Sequence, residues 1–183
     1  PEVIWTWMAC WKLGAAMVPL NTALRGVGLA TLVDHTEAKA VLLDPQLEPN
    51  LVASGAAIPN LKFRFGDDTD GFTGRPPFIR LEDPDPATVC AIIYTSGTTD
   101  ASKGVMLSQT SFAVAGRAVA ETMAEATVDS VLHTSLPLFH VAALQLAICC
   151  VLAAGCTLVL RERFDVEGFW EDLEREGATI FHC

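Results

Sequence analysis

The sequence predicts an α/β fold of mostly parallel, helix-covered sheets. Three observations carry that expectation. Strand-like and helix-like segments alternate along the whole chain. Val89-Cys-Ala-Ile-Ile-Tyr94 is an unbroken apolar run, the pattern of a strand buried on both faces. A polar Gly/Ser/Thr loop follows it directly, at the carboxyl end of a strand, where open α/β sheets place their ligands.

The elements read in order as follows. Glu2 to Leu13 is an apolar-rich helix stopped by Gly14, and Ala15 to Val18 a short strand closed by Pro19. Gly28 to Thr36 is helical, with Leu29, Leu32 and Val33 on one face. Lys39 to Leu43 is a strand stopped at Pro45, Leu47 to Ala57 a helix, and Leu61 to Phe65 a strand. Gly66 to Pro86 is rich in Pro, Gly and Asp and reads as a linker. It divides the chain into a first α/β portion, 1–86, and a second, 87–183. After Val89–Tyr94 and its loop, Phe112, Ala115, Val119, Met123 and Ala126 mark one helix face. Ser130 to Leu136 is a strand ended by Pro137, Val141 to Ala153 a buried helix, and Cys156 to Leu160 a strand. Asp165 is positioned to N-cap a helix whose apolar face is Val166, Phe169, Trp170 and Leu173, with Gly177 as its stop. Ala178 to Phe181 is the next strand. A chain that ends on a strand of this kind reads as a piece of a longer one.

Composition narrows the function. With 183 residues, 51% hydrophobic and 19% charged, the chain is neither disordered nor fibrous. Lys and Arg total 12 against 22 Asp and Glu, a net charge of −10, which repels phosphate backbones and argues against a nucleic-acid partner. The six cysteines form no C-x-x-C pair and most lie in apolar runs, as expected of buried reduced thiols in a cytoplasmic protein, and their spacing gives no metal site. Pro1 to Leu20 lacks the basic start of a signal peptide. Val141 to Leu160 is uncharged and long enough to span a bilayer. Gly155, the β-branched Thr157–Leu160 stretch and the flanking His140 and Arg161 favour a buried helix, turn and strand instead.

The chemistry concentrates in Tyr94-Thr-Ser-Gly-Thr-Thr-Asp-Ala-Ser-Lys-Gly-Val105. Small residues let backbone N–H groups approach an anion, hydroxyls add donors, and Lys103 is the one cationic side chain between Arg80 and Arg117. Such a loop suits a polyphosphate. It is not a Walker A loop, because Ser102 rather than Gly precedes Lys103 and Gly104 follows it. On residue types alone, a solvated turn between strand and helix fits as well. His133 and His35 read as structural, Tyr94 as a strand residue packed beneath the loop, Arg117–Glu121 as an i,i+4 surface pair, and Glu171, Asp172, Glu174 and Glu176 as a solvated face.

The loop resembles the phosphate-loop signature of the adenylate-forming superfamily, which includes acyl-CoA synthetases and peptide-synthetase adenylation domains. The likeness extends over nearly the whole chain. Lys12-Leu-Gly-Ala-Ala-Met-Val-Pro-Leu-Asn21, Leu136-Pro-Leu-Phe-His140, Ala154-Gly155 before a strand, and Phe164-Asp165 before a helix with Trp170 are all similar to family segments. The helix start and the Ala178-Thr179 strand resemble the carnitine/crotonobetaine-CoA ligase type.

That resemblance implies part of the N-terminal domain of an enzyme with a two-step reaction. A carboxylic acid attacks the α-phosphate of Mg2+-bound ATP, releasing pyrophosphate, and coenzyme A then takes the acyl group. It further implies that Thr95, Ser96, Gly97, Thr98, Thr99, Lys103 and Gly104 bind the phosphates. Phe139 and His140 would line the carboxylate site, with Lys103 and His140 as the catalytic pair. The family's magnesium-binding, ribose-binding and C-terminal elements would lie beyond Cys183, so these residues alone would not complete the reaction. Two alternatives stay open, a non-catalytic nucleotide-binding relative and an adenylation domain that loads a carrier protein; a homodimer is also left open. The chain departs from the family pattern at Asp100 and Ser102, where Gly and Pro are usual. If Asp100 points to solvent at the loop tip, screening keeps it from opposing ATP. Asp100→Gly should therefore change the KM for ATP little; a tenfold fall would show the carboxylate facing the phosphates.

Overall fold

The structure, a computed structural model, describes residues 2–58, 82–95 and 102–182 in full and 61–64 by their backbone. Ser96, Gly97, Thr98, Thr99 and Asp100, expected to belong to a phosphate loop, lie outside the described residues, as does most of the expected linker.

Helix α1, Glu2–Leu13, ends where the sequence places its stop. Gly14 takes φ +65°, a left-handed conformation that glycine adopts without a Cβ penalty. Ile4 and Trp7 form its buried face. The stretch expected as a strand over 15–18 makes one parallel bridge, Met17 to Ala91. Helix α2, Gly26–Thr36, buries Val33 and closes on Glu37. Strand β1, Ala40–Leu43, pairs in parallel with β2, Leu61–Arg64. Between them, the expected single helix is two pieces. A 3-10 turn at Pro45–Leu47 opens with the Asp44 carboxylate accepting the Gln46 N–H, and α3, Glu48–Ala53, follows. Val33, Leu43 and Leu51 make the small core of this region.

Strand β3, Val89–Tyr94, is central. Cys90, Ala91 and Ile93 pack in one cluster with Ile4 and Trp7 of α1. Strand β4, Gly104–Ser108, is a correction to the sequence reading, which ran the loop straight into a helix. It pairs antiparallel with β3, so the sheet carrying the loop is not parallel. Its five residues are too short for a periodic signal, and Val105 and Met106 are exposed.

Helix α4, Gln109–Ala118, is N-capped by the Ser108 hydroxyl, which accepts the Ser111 N–H. It buries Phe112 completely. The chain then widens into π-type turns over Val119–Met123. The extra residue per turn moves the face, so Met123, expected inside, is 75% exposed while Ala120 is buried.

The last unit is a parallel three-stranded sheet in the order β6-β5-β7. Its strands are β5, Val131–Thr134; β6, Thr157–Leu160; and β7, Ile180–His182. The expected buried helix between β5 and β6 is a π-type segment, Ala142–Ile148, continued by α5, Cys149–Ala154, and closed at Gly155. Among the described residues no helix is long and apolar enough to cross a membrane. Helix α6, Phe169–Glu176, starts later than the sequence implied, after Gly168 rather than Asp165. The Asp165 carboxylate instead accepts the Glu167 N–H at 3.3 Å within the preceding turn. Phe169 and Leu173 are buried, whereas Val166 and Trp170 are exposed, Trp170 by 68%.

Burial raises the thiols of Cys90 and Cys149 to pKa values of about 11 and about 12, and the described cysteines are free, as expected of packing residues. Helices α4 and α5 meet backbone to backbone at Gly116. A Cβ there would lie 2.5 Å from the Cys149 Cβ and 2.6 Å from its carbonyl oxygen. Backbone cannot swing aside as a side-chain end can. Gly116→Ala should therefore lower stability by about 1–3 kcal/mol, read as a fall in Tm; an unchanged or raised Tm would show that the helices separate freely.

Candidate functional site

Two loops carry the residues singled out by sequence, and each leaves the carboxyl end of a strand. The first joins β3 to β4. Its stem is closed by the Thr95 N–H donating to the Lys103 carbonyl at 3.0 Å. Tyr94 and Gly104 form the last register pair below it. Gly104 must be small there, since a Cβ would stand 2.8 Å from the Ile92 Cγ2. The antiparallel ladder thus brings Thr95 and Lys103 together, with both side chains exposed at the mouth of the hairpin. That is where a cationic amine and a hydroxyl can reach a bound anion.

The second loop leaves β5 and holds Phe139 and His140. A turn closes when the His140 N–H donates to the Pro137 carbonyl at 2.9 Å. The His140 Nδ1 then accepts the Ala142 N–H at 3.3 Å, at the start of the π-type segment. With Nδ1 occupied as an acceptor, the neutral ring carries its proton on Nε2, pointing a donor away from the backbone. His140 is exposed and Phe139 half-buried. Leu138 and Val141, on either side of this pair, pack against the cluster that contains Cys90, Ala91 and Ile93 of β3. The two loops are therefore tied to one apolar core. Among the described residues no group of three His, Cys, Asp or Glu side chains is arranged to hold a metal ion.

Two members of the acidic cluster on α6, Asp172 and Glu176, are a second correction, whereas Glu171 and Glu174 are exposed as expected. Asp172 is only 15% exposed and is the hub of a polar network. The Arg161 Nε and Nη2 donate to its two oxygens at 2.6 and 2.7 Å. Arg161 also reaches Glu176 Oε1 at 2.5 Å, and Arg175 bonds Asp172 as well. The His133 Nε2, on a ring 2% exposed, lies 2.7 Å from Asp172 Oδ2. The ring Nδ1 has no partner among the described residues. Protonating it would bury an unpaired N–H, so the ring is held neutral: burial first, then the Arg161 charge, pushes its pKa below the ordinary value. Hydrogen bonding from Arg161 lowers the Glu176 carboxyl. A cavity of about 240 Å³ opens beside this network, lined by Ser135, Arg163 and Phe169 among others; neither Lys103 nor His140 lines it. Sequence spacing gave no sign of the network, because its members come from β5, the end of β6 and α6.

The family model described as AMP-binding enzyme matches residues 1–183. A crotonobetaine/carnitine–CoA ligase of Salmonella paratyphi C is 28% identical over 197 residues, covering all of this chain and 38% of the ligase. The crystal structure of ATP-bound MatB from Rhodopseudomonas palustris superposes with a TM-score of 0.83 at 28% identity, over 98% of this chain and 36% of MatB. A malonyl-CoA ligase solved with methylmalonyl-CoA and AMP gives 0.73 at 29% identity, over 96% and 35%. The chain thus spans little more than a third of the length of these relatives.

The neutral, buried state of His133 has a measurable consequence. A histidine whose folded pKa lies below the unfolded value of 6.5 stabilises fully above 6.5, and that contribution is lost as pH falls through 6.5 toward the folded value. The Glu176 carboxyl, lowered from 4.5, acts only below that range. The Tm should therefore fall between about pH 7 and pH 5, and His133→Gln should flatten that fall. A wild-type profile flat over the interval would show that folding leaves the imidazole pKa unshifted, and a Tm that rises toward about pH 5 would show the ring protonated in the fold.

Proposed function

This chain belongs to the AMP-binding enzyme family, and we propose that it forms part of an acyl-CoA synthetase that activates a carboxylic acid with ATP and passes the acyl group to coenzyme A. The observation that carries the reading is the β3–β4 hairpin. It presents Lys103 and Thr95 at the mouth of a Gly/Ser/Thr-rich loop, in a chain that matches the family from end to end. The names of the relatives support the chemical class, since they are CoA ligases.

On this reading Lys103 and Thr95, together with Ser96, Gly97, Thr98, Thr99 and Gly104, bind the β- and γ-phosphates. The Lys103 ammonium offsets the charge that grows on the leaving pyrophosphate. His140 donates its Nε2 proton to the carboxylate or lies beside the entering thiol, and Phe139 supplies an apolar wall. Mg2+ enters with ATP, neutralising its phosphates. The division into portions 1–86 and 87–183 belongs to the same proposal; the cluster of Val33, Leu43 and Leu51 supports a separately packed first portion, whereas α1 shares its core with β3. The free thiols suit a cytoplasmic setting.

Carboxylate-dependent ATP–pyrophosphate exchange in the full-length protein tests the proposal. Exchange with one class of acid is expected, and Lys103→Ala should reduce kcat/KM for ATP by roughly 10–100-fold. Addition of CoA or of an acyl carrier protein then identifies the acceptor. A folded protein that exchanges with no acid across a broad panel would overturn the catalytic reading.

A further inference from the structure

Besides the backbone bridge from Met17 to β3, a side-chain contact ties the first portion of the chain to the stem of the β3–β4 hairpin. The Tyr94 hydroxyl lies 2.5 Å from the Nδ1 of His35, and the two rings meet edge to face with centroids 5.8 Å apart. His35 stands in the last turn of α2, 59 residues away in sequence. Tyr94 is the last residue of β3 and pairs in register with Gly104. Its ring lies beside the bare Gly104 backbone, where a Cβ would meet the Tyr94 Cζ at an ordinary contact distance of 3.5 Å. Lys103 is the next residue, its carbonyl held by Thr95, which follows Tyr94. The phenol is therefore seated between His35 and the Gly104 side of the stem that presents Lys103.

We propose that His35 is a positioning residue for ATP binding: through Tyr94 it fixes the Tyr94–Gly104 stem and hence the place of Lys103. The inference rests on the reading that Lys103 and its neighbours bind the phosphates of ATP. His35 need touch no substrate. A neutral His35 protonated on Nε2 offers the Nδ1 lone pair to the phenol, which burial keeps in its protonated, donating form. The bond removes the freedom of an aromatic side chain that otherwise rotates above a glycine. A stem held in one position delivers the Lys103 ammonium to the phosphates without an ordering cost on binding.

The sequence alone offers no route to this pairing, since a histidine at a polar helix end and a tyrosine at a strand end are both unremarkable. Their juxtaposition is a product of the fold. Tyr94→Phe keeps the ring and its packing and removes only the hydroxyl. His35→Ala removes the acceptor, and His35→Asn restores one near the position of Nδ1.

The experiment is steady-state ATP–pyrophosphate exchange in the full-length protein, with KM for ATP, KM for the carboxylate and kcat measured separately, and Tm measured on the same samples. Tyr94→Phe and His35→Ala should each raise the KM for ATP by roughly three- to tenfold, the range one hydrogen bond supplies, with the KM for the carboxylate unchanged. The double variant should be no worse than either single one, and His35→Asn should recover most of the loss. Lys103→Ala is run alongside. If it raises the KM for ATP and the His35 and Tyr94 variants do not, the positioning role is overturned and the phosphate-binding reading stands. If Lys103→Ala has no effect on ATP, both fall. A rise in both Michaelis constants that follows a loss of Tm would also overturn the proposal, because it would mark a general packing role.

Discussion

Burial of β3 on both faces is the constraint on which the rest of the structure depends. Cys90 and Ala91 are fully enclosed, and the strand borders Met17 on one edge and β4 on the other. Helix α1 supplies Ile4 and Trp7 to one cluster with it, α4 supplies Phe112, and the π-type segment and α5 supply Leu144, Ile148 and Cys149. A strand so enclosed exposes only its ends. Its carboxyl end is where the polar loop departs, so the same burial that holds the core together also aims the loop. The second loop is fixed by the same cluster through Leu138 and Val141.

Much of this was legible in the residues. Apolar runs and glycine stops place β3, α1, β5 and β6 to within a residue or two, because burial and left-handed caps leave local marks. The residue types of the loop suit an anion site and a solvated turn equally well. What was not legible has a common physical cause. β4 is five residues long with two exposed apolar side chains, so it has no period to detect. The π-type turns at Val119–Met123 and Ala142–Ile148 shift the face of a helix without changing its composition, which is why Met123 points outward. Trp170 was expected inside because it continues a helical stripe from Val166, but that stripe begins before the helix does.

The network around Asp172 shows why side-chain chemistry resists sequence reading even where the elements are right. A run of acidic residues on a helix is ordinarily solvated. Here two of them face Arg161 at the end of β6, and one also meets a histidine buried in β5. The bidentate geometry of Arg161 on Asp172 satisfies a half-buried carboxylate that would otherwise destabilise the helix. The network fastens α6 across the sheet, while Phe169 and Leu173 supply its apolar footing.

The β6-β5-β7 order also has a meaning in time. β5 is made first and is the middle strand, and its neighbour β7 bonds it across 48 residues of chain. At a synthesis rate of about 5–20 residues per second, the nascent chain holds β5 without that neighbour for a matter of seconds. The Asp172 that receives His133 arrives 39 residues behind it. Until then the imidazole has neither its acceptor nor the cover of α6. β6 and the helical segment before it are made before β7, so a partner for one side of β5 exists before a partner for the other. For those seconds the open side of β5 is an unpaired strand edge, the kind that invites a passing chain to pair with it.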